Sequence, residues 1–592
     1  MTENALDYSR IDPTEAAATG MALAVHAAVK PAAPAVVDRF GEHSWRDLND
    51  KANRLANYIR EANLKPDDGI ALLASNRVEF IEVMMAAFRT GTRVTPINWH
   101  LTGEEIGYIV NNSDAKIFIA EYQFAHKLDS LATLAPKIER FLAIGGEING
   151  HQVYDTELAL CDPENISDPV HGGTMLYTSG TTGHPKGVYR KERPVLLPDY
   201  SEVGFAHDHP VDLCTGPAYH AAPLLIDVLT PIVSGATVVM MDRWDAEQTL
   251  ELIDKHKVTH CHMVATMFHR MLSLPDATRA KYDISSVKQI IHGAAPCPVH
   301  VKHKMIEWFG PVLIEYYAAT EGGGGFLVGS EEWLTKPGTV GKPGPEFDNK
   351  ILDDEGNPVS AGETGTIYMR APVQGRFVYY KDDSKTDSSY RGDYFTLGDM
   401  GYFDEDGYLF LTGRSAETII SGGVNIYPQE TDDVLLKHPA VADVCTVGIP
   451  NEEWGEEVKS VVQLKPGIMA SEDVAEDLIT FCRGFLPGFK SPKSIKQILL
   501  PIHFVPSVTT GEELIAKFTE QSGNIAIVSD EYGGTAGMVT LEDVIEEIFG
   551  EIEDEHDKDD LVEQKISDTH FRFSARVEID YINEHYNLNV PE

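Results

Sequence analysis

Cysteine is scarce in this chain: six thiols, at Cys161, Cys214, Cys261, Cys297, Cys445 and Cys482, are spread over 592 residues with no CxxC pair. That spacing excludes a disulfide scaffold and a zinc ribbon, and it reads as free thiols in a reducing compartment. Basic charge is also short. Lys and Arg number 49 against 92 Asp and Glu, a net charge of −43, which excludes a sequence-independent grip on nucleic acid. Anionic substrates would have to be held by local cations against a repelling global field. Long hydrophobic runs are missing too; nothing reaches the ~18 apolar residues of a membrane span. The start, MTENALDYSRIDPTE, is acidic where a signal peptide would be basic, so a cytoplasmic location is expected.

What is present is an ordinary globular composition, 43% apolar and 9% aromatic, in a chain long enough for roughly two to four domains. From about Leu48 to Val239 short β-rich runs alternate with amphipathic stretches, the pattern of an α/β core. Phe80, Val83, Met84 and Phe88 recur at helical spacing, and Lys116–Ala120 reads as a short buried strand. Between Asn349 and Leu411 the turns DDEGNP, SAGETG and DEDGY predict hairpins. From Gln429 to about Pro492 an α+β pattern returns, with helices over Glu430–Lys437 and Asp473–Gly484 and strands over Val444–Ile449 and Ser460–Leu464. His260 and His262 are two apart on a strand-like run with no third ligand evident, so they are assigned no metal.

The most informative segment is Tyr177–Val188, YTSGTTGHPKGV. Thr178, Ser179, Gly180, Thr181, Thr182 and Gly183 precede a single cation, Lys186. Glycines allow successive N–H groups to converge on an anion, and the hydroxyls add donors. The segment follows a strand-like GGTMLY, and α/β sheets bind ligands at strand ends. It is not a Walker A loop, because Lys186 is followed by Gly187. A Ser/Thr/Gly surface loop shares this composition, but not this ordered string.

YTSGTTGHPKG resembles the signature of the adenylate-forming superfamily, which includes acyl-CoA synthetases, luciferases and peptide-synthetase adenylation domains. Further motifs follow in that family's order over about residues 15–492: PAYHAAPL with His220, HGAAP at 292–296, YAATE at 317–321, YFTLGD ending at Asp399, and Gly413–Arg414. The resemblance implies an ATP-dependent carboxylic acid:CoA ligase working through an acyl-adenylate, with ATP and CoA as co-substrates and Mg²⁺ as cofactor. It implies an α/β fold. A large N-terminal domain, residues 1–413, would hold two αβαβα-type sheets and a distorted β-barrel. A smaller, mobile α+β domain, 414–495, would follow.

On this resemblance Lys186, Thr320, Glu321 and His220 are the catalytic candidates, with Glu321 as the Mg²⁺ ligand and His220 gating or orienting the acyl group. Tyr317 would stack on adenine, with Gly293, Ala294 and Ala295 covering its other face. Asp399 would accept from the ribose hydroxyls and Arg414 would add a cation near ribose or phosphate. Ser421, Gly422 and Gly423 would border the channel for CoA. The residues near His220, with Met263–Phe268 and Gly322–Gly325, suggest an apolar acyl tail. No nucleic-acid partner is expected, and a homodimer is left open.

The pattern departs at its end. Where the family's C-terminal lysine motif should follow, Thr510-Gly511-Glu512 carries a carboxylate, and Ala416 stands where acidic or lysine side chains are frequent at the hinge. From about Pro501 the sequence PIHFVP…IAIVSDEYGGTAGMVTLEDVIEEIFGEIEDEHD is similar to half of the CBS pair and the acidic linker of hemolysin-related, CorC-type proteins. This implies a CBS-like repeat over 496–560 and a truncated transporter-associated segment over 561–592. Two other readings therefore stand beside the ligase. One is a chimeric or damaged adenylate-forming protein that binds ATP and acid with little turnover. The other is a CBS-type adenine-nucleotide-sensing accessory protein.

Overall fold

The computed structural model describes residues 6–178, 185–201, 204–353, 355–372, 375–414, 418–421, 424–451, 454–465, 467–488, 490–492, 494–498, 503–506, 509, 511–521, 525–529, 535–541, 544, 563–567 and 570–573. It forms two compact units: residues 1–510 with 526–538, and residues 511–525 with 539–592.

Within the first unit, apolar β-branched runs build a six-stranded, all-parallel sheet. Its order is Gln152–Val153, Arg140–Ile144, Ala115–Glu121, Gly69–Leu73, Arg93–Pro96, Gly173–Thr174. Parallel strands need crossovers, and helices cover both faces of such a sheet. Helix Val78–Thr90 is one: Phe80, Ile81, Val83, Met84 and Ala87 are all fully buried, and Gly91 ends it at φ +77°, where a side chain would be strained. Helix Gly103–Asn112 starts on a capping box between Thr102 and Glu105.

The second sheet has eight strands in the order Gly322–Gly329, Leu313–Ala319, Gln289–His292, His260–Met263, Val211–Cys214, Thr237–Met240, Pro34–Asp38, Gly41–Ser44. Its interior pairs are parallel and its two edge pairs antiparallel. The hairpins expected between Asn349 and Leu411 form a third, wholly antiparallel sheet built on Gly365–Arg370 and Asp399–Phe403. A small antiparallel sheet sets Lys186–Arg190 between Leu176–Thr178 and Phe377–Tyr379. Lys186 thus opens a strand, where the sequence reads as loop.

After Arg414 a separate α+β layer follows. Strands Val441–Asn451 and Gly455–Leu464 form a long hairpin, joined by Ser494–Ile498 in parallel and backed by helices Pro428–Leu435 and Glu472–Arg483. A three-stranded sheet of His503–Pro506, Ile525–Ser529 and Thr535–Thr540 comes last, its first two strands parallel. In the second unit the described elements are helix Gly511–Gln521 and the hairpin Glu563–Ser567/His570–Phe573. Of the acidic stretch 541–550 within the expected CBS-like repeat, only Leu541 and Val544 fall among the described residues.

Candidate active site

Two charged clusters are strung along one strand. Leu313–Ala319 ends in a turn at Thr320 and Glu321, and the chain reverses into Gly322–Gly329. Partway along it Tyr317 is buried against Phe326, ring centroids 5.6 Å apart, and its hydroxyl donates to Asp399 Oδ2 at 2.7 Å. Burial first, then the Asp399 carboxylate, push that phenol well above the usual tyrosine range, so it stays a donor. Asp399 lies in register opposite Arg414, whose Nε donates to Oδ1 at 3.3 Å. These two bonds take one acceptor site on each carboxylate oxygen, of about four that a carboxylate offers.

At the strand's end, Glu321 Oε1 accepts from the Tyr379 hydroxyl at 2.8 Å. Tyr379 closes strand Phe377–Tyr379, directly opposite Val188 on the strand that Lys186 opens. The Lys186 ammonium lies 6.0 Å from the Tyr379 ring centroid. From the far end of the same strand Arg190 Nη2 donates to the carbonyl oxygens of Thr320 at 3.1 Å and Glu321 at 2.5 Å. Lys186, Thr320 and Glu321, distant in sequence, are thus gathered around Tyr379 and Arg190. A half-buried carboxylate is a hard oxygen donor of the kind Mg²⁺ takes. Thr178 faces Lys186 in register, and a cavity of about 480 Å³ opens beside Lys186 with Lys381, Lys385 and Ser384 on its wall. Ser179, Gly180, Thr181, Thr182 and Gly183 lie outside the described residues.

The HGAAP loop leaves strand Gln289–His292. A Cβ on Gly293 would come within 2.7 Å of the Tyr316 ring and carbonyl, so only glycine lets the loop lie this close to the Tyr317 strand. Ala294 takes φ +67°, turning the loop back past Ala295.

Two family models match the chain: AMP-binding enzyme over residues 23–378, and AMP-binding enzyme C-terminal domain over 430–503. This chain belongs to the AMP-binding enzymes. It is 33% identical over 467 residues to a 2-succinylbenzoate–CoA ligase of Geobacillus kaustophilus (strain HTA426), covering 78% of this chain and 90% of the relative. It is 28% identical over 494 residues to a 3-oxocholest-4-en-26-oate–CoA ligase of Rhodococcus rhodochrous, covering 77% and 87%. Among solved structures, the anthranilate CoA ligase AuaEII in complex with anthranoyl-AMP superposes with a TM-score of 0.73 at 22% identity, over 84% of this chain and 95% of that one. A benzoate CoA ligase from Burkholderia xenovorans LB400 gives 0.70 at 20%, over 82% and 96%. At these identities the two structures establish the fold.

In this AMP-binding enzyme His220 stands apart from the strand just described. It is half-buried, its ring centroid 4.4 Å from that of Tyr219, and it leads into a π-helix over Pro223–Leu229. Sequence periodicity gives no sign of that π-helix. It carries Asp227, fully buried like Asp212 on the adjoining strand. Burial drives both carboxyls well above the usual range. Of the paired histidines, His260 Nδ1 lies 2.7 Å from Thr259 Oγ1 and His262 Nε2 lies 3.2 Å from the Tyr316 hydroxyl. Burial lowers the His262 pKa to about 3, so it is neutral. Met263 and Phe268 are fully buried.

In the C-terminal layer Ser421 ends strand Ile419–Ser421 opposite Val424 and beside Gly455; Gly422, Gly423 and the hinge residue Ala416 lie outside the described residues. Glu512 falls in the first turn of helix Gly511–Gln521. Lys490 ion-pairs with Glu430 at 2.5 Å. Tyr379 and Arg190 are what sequence reasoning missed. Neither sits in a motif, and only the pairing of Phe377–Tyr379 with Lys186–Arg190 brings them to Glu321.

Proposed function

We propose that this AMP-binding enzyme is a carboxylic acid:CoA ligase that works in two half-reactions. A carboxylate oxygen of the acid attacks the α-phosphorus of ATP, and pyrophosphate leaves with the broken P–O bond to give an acyl-adenylate. The CoA thiolate then attacks the acyl carbon, and AMP leaves. The observation that carries this reading is the Leu313–Ala319 strand. One stretch of backbone sets the Tyr317–Asp399–Arg414 group within the strand and the Glu321–Tyr379–Lys186 group four residues on, at the turn that ends it. That is the layout needed to hold a nucleoside at one end and its phosphates at the other.

In our reading Asp399 and Arg414 take the ribose, and Tyr317 with the Gly293-Ala294-Ala295 loop borders the adenine. Since the Tyr317 hydroxyl is engaged by Asp399, only its ring remains for the base. Thr178, Lys186 and the residues 179–183 cradle the phosphates. Glu321, with Thr320 beside it, would hold Mg²⁺, which when bound neutralises phosphate charge. His220 and the π-helix border the acyl group, and Ser421, Gly422 and Gly423 the CoA channel. The curated relatives are named for aromatic, sterol and fatty acids. Those names favour an acid with an apolar or aromatic body for this chain.

The C-terminal family match stops at residue 503, and the chain that follows supplies Glu512 where the resemblance expects lysine. Adenylation should therefore be slow, by about 10²–10³-fold for a lost transition-state cation, with thioester formation from supplied acyl-AMP better preserved. For 496–560 we keep the reading of a CBS-like repeat. Its support is the order strand, helix, strand, strand, with the first two strands parallel. ATP–pyrophosphate exchange and acyl-CoA formation over a panel of aryl, sterol and fatty acids test the assignment. No acid-dependent exchange, and no CoA ester from supplied acyl-adenylates, would overturn it.

A further inference from the structure

Tyr379 stands between the two groups proposed to handle the triphosphate. Its hydroxyl donates to one oxygen of Glu321, and its ring lies under the Lys186 ammonium at 6.0 Å. It is 8% exposed and belongs to a cluster with Phe377, Phe395 and Val188, so the ring has no freedom to swing away. Its backbone N–H donates to Thr386 Oγ1 at 2.9 Å, fixing the strand end as well. Arg190 completes the frame: its guanidinium clamps the carbonyls of Thr320 and Glu321, which fixes the turn that carries the carboxylate.

We infer that Tyr379 and Arg190 are positioning residues that favour Glu321 as a one-oxygen ligand, with one lone pair of Oε1 taken by the tyrosine and Oε2 turned to a divalent cation. This rests on the reading of Glu321 as the metal ligand. The consequence is chemical. Mg²⁺ demands a compact octahedral set and takes single carboxylate oxygens, whereas Ca²⁺ readily accepts both oxygens of one carboxylate. A carboxylate with one Oε1 lone pair already taken by a buried phenol is a poorer two-oxygen ligand, which favours Mg²⁺ over Ca²⁺. Tyr379→Phe frees Oε1 while keeping the ring under Lys186. Arg190→Lys keeps a positive charge but cannot clamp two carbonyls with one planar group.

The test is calorimetric titration of the full-length protein with AMP, with Mg·ATP and with Ca·ATP, for wild type, Tyr379→Phe, Arg190→Lys and Glu321→Gln. Tyr379→Phe should leave AMP affinity unchanged, weaken Mg·ATP by about tenfold, and narrow the gap between Mg·ATP and Ca·ATP. Arg190→Lys should also weaken Mg·ATP with AMP spared, and it carries the test alone if the tyrosine variant does not fold. A purely structural role would instead lower thermal stability and weaken all three ligands alike. The two ideas fail separately. Glu321→Gln with wild-type Mg·ATP affinity would remove the metal-ligand reading itself. Glu321→Gln weakened, beside a folded Tyr379→Phe with wild-type affinity and the wild-type Mg/Ca ratio, would overturn the positioning role alone.

Discussion

The Tyr317 hydroxyl donates a 2.7 Å hydrogen bond to Asp399 Oδ2 across 82 positions of sequence, tying a strand of the eight-stranded sheet to the first residue of a strand in the antiparallel sheet. The carboxylate is thereby aimed from one side by a buried phenol and from the other by Arg414. Tyr317→Phe should leave the fold intact and weaken AMP and ATP equally, by about tenfold for a hydrogen bond to a charged group. Equilibrium binding of both nucleotides checks this; loss confined to ATP would place the pair elsewhere than at the ribose.

Lys186→Ala should behave in the opposite sense, sparing AMP and weakening Mg·ATP, because its ammonium lies over the ring of Tyr379, whose hydroxyl holds Glu321. A charge-assisted phosphate contact is worth roughly 10- to 150-fold in affinity. Calorimetry with AMP and Mg·ATP side by side separates the outcomes. Equal losses for both ligands would contradict the layout along the strand.

How far this site could be read from sequence follows from what each residue depends on. Helix Val78–Thr90 and strand Ala115–Glu121 were legible because burial imprints its period on neighbouring residues. Glu321, Asp399 and Lys186 were legible as members of ordered motifs. The motif around Tyr317 suggests an adenine platform, and nothing local announces that its hydroxyl is engaged by Asp399. The glycines and hydroxyls around Lys186 predict a loop, but pairing with Leu176–Thr178 draws it into a strand. Tyr379 was invisible: its meaning comes from a hydrogen bond spanning 58 positions, set by register between strands distant in the chain.

Glu82 gives a pH prediction independent of catalysis. It is buried in helix Val78–Thr90, where its Oε2 accepts from the Tyr154 hydroxyl at 2.9 Å. Burial, then neighbouring Glu79, push its pKa from 4.5 up to about 8. Between those values the native state keeps a proton that the unfolded chain has released, so this group lowers stability as pH rises through the window. Glu82→Gln keeps an oxygen acceptor for Tyr154 without the charge. It should stabilise the protein at pH 8, on the order of a few kcal/mol, and have little effect below pH 4.5. Melting temperatures of both proteins from pH 4 to 8.5 check this; a gain independent of pH would refute it.

Deleting residues 501–592 should leave a folded core that still binds ATP. Among the described residues, the hydrophobic clusters under the three large sheets and the C-terminal hairpin draw on none beyond Ile495. Scanning calorimetry of the shortened chain, with and without ATP, measures this. Disappearance of the core's cooperative transition would show that the tail belongs to the fold.

The π-helix over Pro223–Leu229 makes chain length itself a determinant of this wall of the protein. A π turn accommodates one residue more than an α turn, so excising a single residue there would restore ordinary helical winding. Everything between His220 and the excision would then rotate by about 100° relative to Asp227 and the sheet beneath it. Evolution could thus exchange the side chains presented on this wall through a one-codon deletion, with no substitution at any position that lines it.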